Sequence, residues 1–160
     1  MLVKWPGKVN EKSNTDNYVI IEDFYPTILE MAGIENPKTI QKVDGQSFVP
    51  ILIGESPKTN ERPLFWHYPN FWGASGPGIG SSSAVRLGDW KLIYFYENQK
   101  LELYNISKDI GELNNLAEIN PEKAKALAII LTDYLKEVEA QIPADKKNGK
   151  QIPYPAEVLN

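Results

Sequence analysis

From Leu64 onward the apolar pattern takes a period of two and keeps it, in short pieces, as far as Ile106. In "LFWHY" the alternation puts Leu64, Trp66 and Tyr68 on one face of a strand and Phe65 and His67 on the other. The pieces "SAVRL", "WKLIYFY" and "KLELYNI" follow, joined only by Gly88-Asp89 and by Glu97-Asn98-Gln99. Linkers this short cannot carry a parallel crossover, so the pairing is antiparallel. A sheet of this kind needs a cover for one face. The sequence supplies it after Asn120, a plausible N-cap, with Pro121 at the first helical position and Glu122 in the first turn. Ala124, Leu127, Ala128, Leu131, Leu135 and Val138 then recur at helical spacing. The fold class expected is α+β: a small antiparallel sheet of about four strands packed by a long C-terminal helix.

The residues before the sheet read differently. "DFYPTILEMAGI" predicts a helix capped at Asp23, with Pro26 in its first turn, Tyr25, Ile28, Leu29 and Ala32 at helical spacing, and Gly33 as its stop. In "KVDGQSFVPILIGE", Asp44-Gly45 is a turn, and Pro50 and Gly54 limit the apolar run to one or two helical turns. "MLVKW", followed at once by Pro6-Gly7, reads as the end of a buried strand. "GESPKTNERP" is loop-like and marks a boundary. The expected organisation is 1–60, 61–142 and an extended tail, 143–160, rich in Pro and Lys.

Of the 160 residues, 42% are hydrophobic and 24% charged, values of an ordinary globular chain. A formal charge of -4 without a basic stripe gives no footprint for nucleic acid, and no window approaches the roughly 18 apolar residues of a membrane span. Without cysteine there is no disulfide, thiolate nucleophile or thiolate metal site, and one histidine with dispersed carboxylates builds no metal site alone. Ser81, Ser82, Ser83, His67 and Asp89 contain the residue types of a nucleophilic triad, but no Gly-x-Ser-x-Gly elbow presents a serine. "GPGIG" at 76–80 lacks the spacing of a phosphate loop and has no helix behind it. No catalytic residue and no metal ligand is therefore assigned. The candidate substrate-binding set is His67, Asn70, Trp72 and Arg86, in which tryptophan offers a sugar ring an apolar platform and arginine a bidentate partner for an anion. The favoured reading is structural: His67 as a hydrogen-bonded part of the sheet–helix interface or its rim, and Arg86 as a tie for the carbonyls of the adjoining loop.

Taken in order, "VKWPGKV", "DFYPTILEMAGI", "DGQSFVPILIGE", "RPLFWHYP", "AVRLGDWKLIYF" and "LELYNISKDIGELNNLAE", with the closing helix, resemble the C-terminal portion of bacterial arylsulfatase-type sulfatases, from about residue 3 to residue 142. The resemblance implies that residues 1–60 are the last helix and a strand remnant of a large α/β catalytic domain, and 61–142 the C-terminal subdomain bordering its cleft. It implies a parent sulfuric ester hydrolase that uses calcium and a formylglycine made from the Cys or Ser of a Cys/Ser-x-Pro-x-Arg motif, and that is periplasmic or extracellular. That motif is absent here: Ser56 is followed directly by Pro57, and Ser47 has Pro50 at the wrong offset. The chain is thus expected to be inactive alone and to carry no cofactor. It would contribute stability and substrate selectivity beside the upstream catalytic domain, with a sulfated carbohydrate as ligand and self-association through apolar surface left uncovered. The alternatives are a stand-alone carbohydrate-binding or interaction module built on Trp66, Tyr68 and Trp72, and part of a related phosphoesterase or phosphonate hydrolase.

Overall fold

The computed structural model describes residues 1–34, 37–55, 61–70, 80–145 and 147–159, and the chain divides into two compact units, Met1–Glu61 and Arg62–Asn160. In the second unit the period-two segments form strands β1 (Leu64–Tyr68), β2 (Ser82–Leu87), β3 (Trp90–Phe95) and β4 (Lys100–Asn105). They pair in chain order as an antiparallel meander. Gly88 takes φ +59 at the β2–β3 turn, the left-handed conformation that a two-residue hairpin needs and that a side chain resists.

The long helix (Pro121–Glu137, α3 in chain order after the two short helices of the first unit) covers one face of this sheet. Ala124, Leu127, Ala128, Leu131 and Leu135 are all but sealed from solvent against Val85, Leu92, Tyr94, Tyr96 and Leu103. Burying each of those leucines contributes about 1.5–3 kcal/mol. Phe65 stacks on Tyr134 at 3.8 Å between ring centroids, which anchors β1 under the helix. Val138, expected in the stripe, lies beyond the last turn and is exposed.

The β4 edge is not left bare. Asn115 Oδ1 accepts from the Leu103 and Ala117 amides, and the Leu116 amide donates to Leu103 O, so the loop behind Asn105 occupies hydrogen-bonding positions another strand could take. Past α3 the chain does not simply trail away. Ala144 and Gln151 form a bridge, Pro155–Val158 is a 3-10 helix, and Pro155 is buried, with the Ala156 amide donating to Thr132 Oγ1 on α3.

The first unit holds a 3-10 turn (Ile21–Asp23) running into α1 (Phe24–Met31), and α2 (Val49–Leu52). Gly33 (φ +77) and Gly54 (φ +91) end these helices, each allowing the following residue's amide to reach back to a carbonyl in the last turn: Ile34 to Leu29 and Glu55 to Pro50. "MLVKW" joins no strand; Trp5 instead closes a turn, its carbonyl accepting from Lys8 and Val9.

The face α1 buries differs from the one its periodicity predicts. Asp23 and Thr27 are the sealed residues, while Tyr25 is 51% and Ile28 60% exposed. The polar pair faces inward because it holds backbone. Asp23 accepts from the Ile20 and Gln46 amides, and Thr27 donates to Asp23 O and accepts from the Phe48 amide. Gly45 sits so close to the Glu22 carbonyl that no Cβ fits between them.

Candidate functional site

Alternation along β1 sends His67 to the helix-covered face, where the register sets it opposite Ser83 on β2. Its Nε2 lies 3.2 Å from the Gln141 carbonyl, which can only accept, so Nε2 carries the proton and Nδ1 is the acceptor. Ser83 therefore donates to Nδ1 at 2.7 Å, and the Tyr96 hydroxyl donates to Ser83 Oγ at 2.7 Å. The result is a directed relay from tyrosine through serine to histidine to a backbone carbonyl.

The electrostatics match this assignment. Burial holds the His67 pKa below its ordinary 6.5, against an opposing pull from the Gln141 carbonyl. Burial pushes the Tyr96 phenol up to about 12, so it stays a proton donor. With Nε2 on a carbonyl rather than a carboxylate, and Ser83 only 1% exposed, the pair is a satisfied network and lacks the geometry of an activated nucleophile. Ser81 donates to Pro69 O and Ser82 to Gly80 O, while Asp89 sits in the β2–β3 turn, at the other end of β2 from Ser83. No triad assembles from these groups.

Of the candidate ligand residues that are described, His67 and Arg86 lie on opposite faces of the sheet. His67 lies under α3, whereas Arg86, opposite Leu64 in the register, belongs to the other face and donates from Nε to Gly88 O in the adjoining turn. Asn70 is exposed just past the end of β1, and Trp72 lies outside the described residues. Trp66 and Tyr68, 44% and 41% exposed, occupy the face opposite His67. Sequence reasoning reached His67 but missed its partners. A serine facing it across β2 is signalled by the shared alternation; Gln141, 74 residues away, has no local signal.

Among the described residues no three His, Cys, Asp or Glu side chains gather as a metal ligand set, and the chain has no cysteine from which a formylglycine could be made. No helix among the described residues is long and apolar enough to cross a membrane.

Residues 1–141 match the family model described as N-sulphoglucosamine sulphohydrolase, C-terminal. A sulfatase of Formosa agariphila is 34% identical over 97% of this chain and 30% of its own length. The N-acetylglucosamine-6-O-sulfatase of Bacteroides thetaiotaomicron is 28% identical over 92% of this chain and 26% of its own. Among solved structures, BT4656 in complex with its substrate D-glucosamine-2-N,6-O-disulfate is similar with a TM-score of 0.58 and 29% identity, covering 78% of this chain and 25% of that one. The chain thus spans under a third of the length of the relatives it matches.

Proposed function

The chain belongs to the N-sulphoglucosamine sulphohydrolase C-terminal family, and from that premise we propose that it serves as the C-terminal region of a sulfatase that hydrolyses sulfate esters of a sugar. Catalysis falls to a preceding part of the same polypeptide, which supplies the formylglycine and the metal ligands that these residues do not. The observation that carries this reading is a match confined to the C-terminal portion of sulfatases, with 26–30% of each relative covered. The surface of the first unit supports it. Ile21, Tyr25, Ile28 and Ile34 are between 47% and 74% exposed, an apolar face that a catalytic domain would cover. The substrate class follows the relatives, two of which are named for sulfated glucosamines. In the second unit, Trp66 and Tyr68 have exposed aromatic surface to offer a sugar ring.

The test compares this chain with the longest polypeptide encoded in the same reading frame, each assayed for sulfate release from glucosamine 6-sulfate and from a sulfated aryl ester. Release by the longer protein and none by this chain is expected. A stop codon directly before Met1, or release by this chain alone, sinks the proposal.

A further inference from the structure

We propose that residues 141–159 act as a C-terminal clamp, anchored at two points by His67 and Tyr94, that holds the stems of the β1–β2 connection in place. This goes beyond the sulfatase reading, and the clamp begins at residue 141, where the family match ends.

The geometry is that of a strap fixed at both ends. His67 Nε2–H donates to Gln141 O at 3.2 Å, and the Tyr94 hydroxyl donates to Pro153 O at 2.9 Å. Between these points the strap closes on itself: the Asp145 amide donates to Lys150 O, Gly149 to Asp145 O, and Ile152 to Pro143 O. Beyond them it docks on α3 through the Ala156–Thr132 bond, the buried Pro155, and Lys136 lying 4.7 Å above the Tyr154 ring. The two anchors are linked through Tyr96 and Ser83. Tyr94 meets Tyr96 edge-on at 5.1 Å, and Tyr96 reaches His67 through Ser83.

The same cluster grips both stems of the connection. Ser81 donates to Pro69 O at 3.0 Å, the Tyr96 amide donates to Ser81 O, and Ser83 sits in register with His67. Ser81 is thereby one hydrogen bond from Tyr96, which lies between the two anchors, and Pro69 is one hydrogen bond further. Loosening the strap removes the Nε2 partner that fixes the tautomer of His67, and with it the direction of the relay that orders Ser83 and Tyr96.

His67 is the only histidine, so its imidazole signals in the full chain are unambiguous. Thr132→Val removes the acceptor of the Ala156 amide from α3 without touching the sheet. His67→Gln retains a donor near the Nε2 position, and His67→Asn retains an acceptor near Nδ1. Amide exchange in Thr132→Val and His67→Asn is expected to rise about fivefold at both Ile152 and Tyr96, as loss of one hydrogen bond implies, with Leu103 unchanged. The Nε2 resonance of His67 should move in Thr132→Val, and His67→Gln should keep Ile152 protected. If Thr132→Val frees Ile152 while the imidazole and Tyr96 stay at their original values, the clamp is a passenger and the proposal fails. Should Thr132→Val free nothing, a chain ended after Ala140 decides between the outcomes: faster Tyr96 exchange in it supports the coupling, and unchanged Tyr96 exchange overturns it.

Discussion

Replacing Gly45 with alanine should unfasten the first unit, although its φ is not in the left-handed region and the change adds one methyl group. An added Cβ would overlap the Glu22 carbonyl and lie 2.8 Å from the Asp23 nitrogen. Both are backbone, so no side chain can swing aside. Relief requires the 45–48 segment to retreat by about 1 Å, which stretches the 2.9 Å bond from Gln46 to Asp23 and the 3.0 Å bond from Phe48 to Thr27 beyond useful length. The first is a bond to a carboxylate only 1% exposed, costing roughly 1.5–3 kcal/mol, and the second costs about 1 kcal/mol. The stiffer unfolded chain returns about 0.4–1 kcal/mol. A net loss of about 2–3 kcal/mol remains, a large share of the roughly 3–9 kcal/mol that a unit of this size holds. Native-state amide exchange at Gln46 and Phe48 should accelerate about 30- to 150-fold. Gly33→Ala, which meets open space but keeps φ +77, should cost only about 1 kcal/mol. Exchange at Gln46 and Phe48 within twofold of the original protein in Gly45→Ala would refute the reasoning.

Three further outcomes follow from the second unit. Asn115→Ala removes the acceptor of the Leu103 and Ala117 amides and should lower stability by about 1–2 kcal/mol in urea titration, with aggregation rising as the β4 edge opens. Glu139 ends α3 at φ +49, and the Ala140 amide reaches back to Leu135 O, so Glu139→Gly should stabilise by about 0.5–1 kcal/mol in thermal melts. His67, faced by Ser83, Tyr96 and the Gln141 carbonyl, has its pKa held below 6.5 in the folded chain, so the unfolded chain binds the proton more readily. Its contribution is complete above pH 6.5 and is lost as pH falls from there through the depressed value; the melting temperature of His67→Asn should lack that part of the acid dependence.

The sheet and α3 were legible because their signals are local. Alternation fixed which residues share a face, linker length fixed the antiparallel order, and the Asn120-Pro121-Glu122 start placed the helix. The orientation of α1 was not legible, because its deciding contacts are with residues 46 and 48, more than twenty positions away. Periodicity marked Tyr25 and Ile28 as one apolar face, but it gave no sign that Asp23 and Thr27 turn inward on four hydrogen bonds to backbone. "MLVKW" joins no strand among the described residues, because a strand needs a partner and these residues supply none. At the candidate site, alternation separated His67 from Trp66, whereas the separation of His67 from Arg86 depends on a register no single strand encodes.

The motifs that made the chain recognisable share a physical property that is not catalytic. In "DGQS", Gly45 permits a backbone approach and the Gln46 amide finds a buried carboxylate. In "DIGELNNLA", Asp109 accepts from the Leu113 and Asn114 amides, which hold its pKa down, and Asn115 caps the β4 edge. In "DFYPTILEMAGI", Asp23 and Thr27 serve amides and Gly33 turns the chain. Each marks irregular backbone whose polar groups must be satisfied by one particular side chain, a demand far narrower than the choice among apolar residues in a core. Such positions tolerate few residue types in any protein with this backbone. The C-terminal region of a sulfatase is therefore identifiable from residues whose work is to satisfy irregular backbone.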